Sequence, residues 1–202
     1  IFYKGKALAS NQSTIKLIAI PNFVNRSGNK ISSDQIVYTW EINGTVYGSL
    51  SGVGVDTFEY TPNIINRPIQ VIVKASPVNS NQIAKEVKTF EFIQPFVVFY
   101  ERNPLYGTLI ERALSGEINL NKQEVEITAA PYFFTPRDLS FSWFFNGTKI
   151  EEQLSNILSF RRTDTKPGRA NIRFEVEHDD RILQSADESF KIKYEEGKDF
   201  EF

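Results

Sequence analysis

The residue types that carry polar chemistry are sparse in this chain. Its only histidine, His178, stands in the string E-V-E-H-D-D-R beside Asp179 and Asp180. A histidine next to carboxylates can act as a general base or a metal ligand. The same string reads as a polar turn between two strands, and turn chemistry favours that reading. With one His and no Cys, the chain has no material for Ser/His/Asp catalysis at several sites, for thiolate metal centres or for histidine clusters. Acidic strings around Asp179 and among Glu195, Glu196 and Asp199 lack the spacing of an EF-hand loop. No catalytic residue, metal ligand or cofactor is therefore assigned, and the chain is expected not to be an enzyme.

Other charged residues follow a pattern of their own. Glu124, Glu126, Glu175 and Glu177 alternate with apolar residues, as on a solvated sheet face, with Arg173, Lys191 and Lys193 as cross-strand partners. Nothing in their spacing selects a glycosidase-like pair. The string R-R-T-D-T-K-P-G-R-A-N gathers Arg161, Arg162, Lys166 and Arg169. It could grip an anionic glycopolymer, and a solvated loop is the plainer account.

Aromatic residues give the second candidate surface. P-Y-F-F (131–134) and W-F-F (143–145) are expected around the starts of two strands. If Trp143 and Phe145 face inward, alternation turns Phe144 outward, where Glu41 stands in the matching first-half string. An outward ring suits a partner surface, a sugar platform or a contact with another domain. The candidate partner surface is thus Phe144, Tyr132 and Phe133, with Arg161, Arg162 and Arg169. The N-x-S/T triplets at Asn11, Asn25, Asn43 and Asn146 are common by chance at this composition, and two of them coincide with Asn-Gly turns.

The bulk numbers exclude some partners. The 202 residues are 41% hydrophobic and 13% aromatic, with 17 Phe, so cores built on rings are expected. A net charge of −2 gives no general pull toward nucleic acid or anionic membrane. The longest apolar run, F-I-Q-P-F-V-V-F-Y, falls well short of the roughly 18 residues of a membrane span. No nucleic-acid partner and no membrane contact within this chain are expected. The chain has no Met and starts at Ile1. We read it as a processed or trimmed piece, with any anchor lying outside it.

The elements that must position these residues are announced by a repeat. Y-T-W-E-I-N-G-T (38–45) and F-S-W-F-F-N-G-T (141–148) place the chain's only two tryptophans in the same sentence, W-x-x-N-G-T. Asn-Gly is the strongest short hairpin signal, because a type I′ turn needs positive φ at both central residues. Upstream, T-I-K-L-I-A-I-P-N-F (14–23) matches E-V-E-I-T-A-A-P-Y-F (124–133), both alternating with period two. Ile36, Tyr38, Trp40 and Ile42 share one face, as do Leu139, Phe141, Trp143 and Phe145. Later, T-F-E-Y (57–60) matches I-L-S-F (157–160), I-Q-V-I-V-K-A (69–75) matches N-I-R-F-E-V-E (171–177), and V-K-T-F-E-F (87–92) matches E-S-F-K-I-K-Y (188–194). Short strands with polar turns and no sustained 3.6 period predict an all-β chain.

Each half offers about seven strands over roughly a hundred residues, the immunoglobulin-like scale. We therefore expect two tandem antiparallel β-sandwiches, 1–94 and 95–202. Trp40 and Trp143 are their core plugs, with Tyr38 and Phe141 beside them. Leu17, Ala19, Val71 and Val73 replace the disulfide that such a Trp packs against in antibody domains. The joint holds Phe92, Pro95, Phe96, Val98 and Tyr100 and no flexible residues, so a stiff, partly apolar junction is expected.

W-x-x-N-G after an alternating strand resembles bacterial Ig-like and PKD-like domains of surface proteins. More narrowly, F-Y-K-G-K-A-L-A-S, I-A-I-P-N-F, Y-T-W-E-I-N-G-T, A-A-P-Y-F-F and F-S-W-F-F-N-G-T resemble uncharacterised extracytoplasmic proteins of candidate-phylum bacteria. The resemblance implies an extracytoplasmic or cell-surface location and a structural or adhesive module, with other domains or subunits of a surface assembly as partners. It brings no catalytic residues. Two further roles are weighed beside it: a carbohydrate-binding module using exposed aromatics, with glycan as partner, and a two-domain pilus-type chaperone. The sequence pI of about 5.6 speaks against the chaperone, a class that is usually basic.

Overall fold

The computed structural model describes residues 8–62, 67–120, 123–161 and 166–194. The backbone divides into two units, Asn11–Ile93 and Gln94–Phe202, with the residues up to Ser10 grouped with the second. Among the described residues the only helical turns are two short 3-10 turns, Ser33–Gln35 and Gly48–Leu50.

The first unit runs through β1 (Ile15–Ile18), β2 (Ile36–Ile42), β3 (Thr45–Val46), β4 (Gly52–Val53), β5 (Thr57–Tyr60), β6 (Ile69–Pro77) and β7 (Ala84–Phe90). β1 and β5 pair as one small sheet, and the other has the order β3-β2-β6-β7 with β4 on β2. The second unit runs through β8 (Phe96–Asn103), β9 (Gly107–Leu114), β10 (Glu117–Asn119), β11 (Glu124–Tyr132), β12 (Leu139–Phe145), β13 (Thr148–Lys149), β14 (Ile157–Arg161), β15 (Gly168–His178) and β16 (Ser185–Tyr194). Its sheets have the orders β14-β11-β8-β9 and β10-β16-β15-β12-β13. All named pairings are antiparallel except β10 on β16. The fold is two tandem immunoglobulin-like sandwiches. They share six strands, β1/β11, β2/β12, β3/β13, β5/β14, β6/β15 and β7/β16. β8, β9 and β10 have no counterpart among the described residues of the first unit.

The repeated sentence builds the same corner twice. β2 alternates buried and half-buried residues along its whole length, with Ile36, Tyr38, Trp40 and Ile42 inward. Asn43 and Gly44 have φ of 47° and 83°, and Asn146 and Gly147 have 49° and 85°. Both pairs occupy the left-handed region that a type I′ turn requires. Each Asn also clamps the next strand. The Asn43 N–H donates to the Gln70 carbonyl at 2.9 Å, and its Oδ1 accepts the Gln70 N–H at 2.9 Å. Asn146 repeats both bonds with Asn171, each at 2.8 Å. Aspartate could accept there, but it would bring a charge, and glycine would lose the clamp.

This clamp corrects the repeat alignment. Gln70 stands over Asn171, and Val73 opposite Trp40 stands over Phe174 opposite Trp143. The match of Ile69 to Asn171 drawn from sequence is therefore one residue out. A one-residue slip exchanges the faces of a strand. Val71-Ile72-Val73 is apolar at three successive positions, so either parity reads as a core strand, whereas Ile172-Arg173-Phe174-Glu175-Val176 admits only one.

Trp40, Trp143 and Tyr38 are buried; Phe141 is half-buried and stacks on Phe174 at 5.6 Å at the margin of the core. Trp40 stacks on Phe58 at 5.1 Å. Trp143 lies 4.6 Å from Phe174 and 6.0 Å from Phe99. Of the four aliphatic residues expected around the plugs, Val71 is buried, while Leu17, Ala19 and Val73 are only half-buried. Replacing either Trp with Ala is expected to destabilise its own unit by about 3–5 kcal/mol through lost burial and the cavity left behind. Urea denaturation of each variant measures this.

Candidate functional site

Phe144 lies on the face of β12 opposite Trp143, as alternation requires, but it is half-buried rather than free. The guanidinium of Arg173, on the neighbouring strand, sits 4.5 Å above its ring. Arg173 also pairs with Glu175 at 2.6 Å. A cation on an aromatic face is attracted by the ring quadrupole, so the expected partner surface is roofed by its own strand neighbour. In the first unit, Glu41 at the same position pairs with Lys74 at 2.5 Å. Phe145 points to the Trp143 face but lies at the end of the strand, 37% exposed, stacked on Phe160 at 6.0 Å.

The P-Y-F-F string falls at the end of β11, not at the start of a strand. Tyr132 stacks on Phe96 at 5.4 Å, and its hydroxyl meets that of Tyr100 at 2.9 Å. Phe133 has a φ of 63°, a conformation costly for a residue with a bulky side chain, and its ring lies 5.6 Å from Phe96. Phe96, 42% exposed, completes an aromatic patch within the second unit. Sequence reasoning found Tyr132 and Phe133 here but read Phe96 only as a joint residue. What joins them is the β8–β11 register, which sets Phe96 opposite Tyr132. Burial holds the Tyr132 phenol well above its ordinary value, and the hydrogen bond with Tyr100 adds to the shift.

The expected basic cluster is not assembled by the described residues. Arg161 is exposed at the end of β14, opposite Glu124. Arg169 pairs with Glu117 at 3.2 Å. Arg162 lies outside the described residues, as do Glu195, Glu196 and Asp199.

His178 closes β15 and is buried. Its Nδ1 accepts the Asp180 N–H at 3.1 Å, and its backbone N–H donates to the Gln184 carbonyl at 2.9 Å. Asp179 accepts from Ser140 Oγ at 2.8 Å. The H-D-D-R string is a hydrogen-bonded turn. Beneath it lies a residue that no sequence pattern singles out. Gln184 is fully buried; its Oε1 accepts the Thr135 N–H at 2.7 Å and its Nε2 donates to Thr135 Oγ1 at 3.0 Å. A lone Gln in R-I-L-Q-S carries no periodic signal of such a role.

Among the described residues, no three His, Asp or Glu gather in a group that could hold a metal ion. No helix among them is long and apolar enough to cross a membrane.

No protein-family model matches the chain, and no curated protein does. Solved structures do. The three N-terminal domains of the Highly Immunogenic Outer Capsid protein of bacteriophage RB49 are similar at a TM-score of 0.51 and 15% identity, over 93% of this chain and 56% of that one. The chain thus spans little more than half of that structure. The fibronectin(III)-like modules of Clostridium thermocellum CbhA match at a TM-score of 0.30 and 12% identity, over 96% of both chains. Immunoglobulin domains 1–5 of Sidekick-1 match at 0.35 and 11%, over 94% of this chain and 36% of that one. At such identities the likeness is one of fold.

Two measurements follow from the site. In a spectrophotometric titration, Tyr132 is expected to ionise well above the ordinary tyrosine value, and Tyr100→Phe is expected to bring it down. Its stabilising contribution is fully present below the ordinary tyrosine value of 10.0 and is lost as pH rises through the higher folded value. The melting temperature is expected to be the same with and without EDTA; a fall of many degrees would reveal a structural cation.

Proposed function

We propose that this chain is a non-catalytic structural or adhesive module of a bacterial cell-surface or extracytoplasmic protein, acting as a stiff spacer or protein-interaction unit. The observation that carries this reading is the fate of the polar groups. His178, Asp179, Gln184, Arg169 and Arg173 are all engaged in holding strands and turns of the second unit. A protein whose reactive side chains are committed to its own framework works through its surface and its mechanics. The fold neighbour from a phage outer capsid, three domains in a row, supports a modular reading. The surface location, and kinship with PKD-like domains of candidate-phylum bacteria, rest on the sequence strings quoted above. The partners would be other domains or subunits of a surface assembly.

The stiff-spacer element rests on residues 92–100, which contain no Gly or Ser. Small-angle scattering tests it: one inter-domain arrangement is expected to fit, and a requirement for a broad ensemble of angles would refute the spacer.

The Phe96–Tyr132–Phe133 patch favours one second reading, a glycan platform, because sugars stack on partly exposed rings. A glycan array separates the two. No specific hit is expected; a hit abolished by Phe96→Ala would make this a carbohydrate-binding module.

A further inference from the structure

The first sandwich has an open edge where the second has a strand. A groove of about 420 Å³ opens between β1 and the β6–β7 side, lined by Leu17, Ala19, Trp40, Val71, Ala75 and Phe90. In the second unit β8 runs beside β11, the counterpart of β1, with Phe99 opposite Ala129. Phe99 is buried there, 6.0 Å from Trp143 and 4.7 Å from Phe190. Ile127, Ala129 and Phe174 are 0% exposed, while their counterparts Leu17, Ala19 and Val73 are half-buried. Among the described residues β1 pairs only with β5. A bare strand edge beside an apolar groove is a template for one more strand.

The charges around the groove decide what that strand must carry. In the second unit Arg102 of β8 stands opposite Glu126 of β11, and the two pair at 3.8 Å. The counterpart of Glu126 is Lys16, an exposed cation that pairs with Glu59 on the β5 side. On the facing sheet, the β6–β7 and β15–β16 registers set Lys85 over Asp187 and Lys88 over Phe190. Lys85 and Lys88 line the groove, are exposed and make no ion pair among the described residues. Glu86, the one carboxylate lining the groove, has its counterpart in Glu188. All three differences therefore run toward positive charge. A strand with the apolar pattern of β8 suits this groove when an acid stands in the place of Arg102.

We propose that the groove of the first sandwich is a binding site for an extended, acidic segment of a partner protein. The segment adds antiparallel to the bare edge of β1, with an aromatic ring over Trp40 and a carboxylate facing Lys16. This site rests on the protein-interaction reading above and gives that reading a ligand class. It is independent of the scattering measurement, so its loss would leave the spacer standing.

The chain has two tryptophans, and their indole N–H resonances give one reporter for each sandwich. Titration with the synthetic peptide FVVFYEE, the β8 pattern with an acid in the place of Arg102, is expected to move the Trp40 resonance and to leave that of Trp143 in place. The β8 sequence itself, FVVFYER, is expected to bind about fivefold more weakly, as suits one partly exposed charge pair. The order of the two peptides is expected to reverse in the Lys16→Glu chain, a substitution at an exposed site. FVVSYEE, which lacks the ring, is expected to leave Trp40 unmoved. No movement of Trp40 with FVVFYEE would overturn the proposal. An equal shift from a scrambled peptide would overturn it by reducing the groove to a non-specific apolar surface. An unchanged order in the Lys16→Glu chain would overturn the acidic segment and its register. Movement of the Trp40 resonance with chain concentration alone would overturn the partner protein in favour of a second copy.

Discussion

Each sandwich depends on one hydrogen bond inside its core. The Trp40 indole N–H donates to the Val55 carbonyl at 3.0 Å, and that of Trp143 to the Ser155 carbonyl at 2.8 Å. Both acceptors lie just before the strand, β5 or β14, that pairs with the facing sheet. The tryptophan belongs to one sheet and its hydrogen bond reaches the chain entering the other. A buried indole N–H needs a partner, so the bond fixes the approach of that chain as well as the ring. In a protein with no cysteine this link stands where a disulfide would otherwise join the sheets. The Asn-Gly turn locks the other end of the same strand: the Trp40 and Trp143 carbonyls accept the N–H of Tyr47 and Ile150 just past the turn, at 2.9 and 2.8 Å.

That framework accounts for the quiet surface. A strand whose inward positions are spent on rings can vary its outward positions, provided each is compensated. Glu41 with Lys74, and Phe144 with Arg173, are two solutions at one position. Both pairs are at least partly exposed and contribute little individually. Their effect is to cover the strand's outer face with short-range partners, which removes Phe144 as a free ring. The aromatic patch at Phe96 differs, because its rings pack on one another: Phe96 stacks on Tyr132 and lies tilted against Phe133.

The sequence disclosed the framework far better than the surface. W-x-x-N-G-T carries period, turn chemistry and plug together, so the architecture and both buried tryptophans follow from it. The β6 register was lost because Val71-Ile72-Val73 is apolar on both faces, leaving only the Asn43 clamp, a long-range contact, to decide parity. Phe96 and Gln184 were missed for the same reason. Their roles are set by partners 36 and 49 residues away in the chain, Tyr132 and Thr135, and no local pattern encodes such a pairing. Arg169 looked like part of a basic cluster because charge density along a sequence does not reveal that Glu117 stands beside it.

The two units also form an internal comparison that neither would supply alone. Both carry the Trp bond, the Asn clamp and the six shared strands, yet their shared core positions differ in burial. The plug and its hydrogen bonds are therefore sufficient to specify the sandwich, while complete exclusion of water from it requires the additional strand. Lys88 shows how the sequence accommodates this. It is exposed in the first unit, on the strand where the second unit buries Phe190. A long stem with a charged tip can cover apolar surface while its ammonium stays in water. A charged residue on an edge strand also discourages pairing with unrelated chains. On β1 the exposed charge is Lys16, held by Glu59 of β5 at 2.7 Å, and Ile18 and Ile20 beyond it are 60% and 82% exposed.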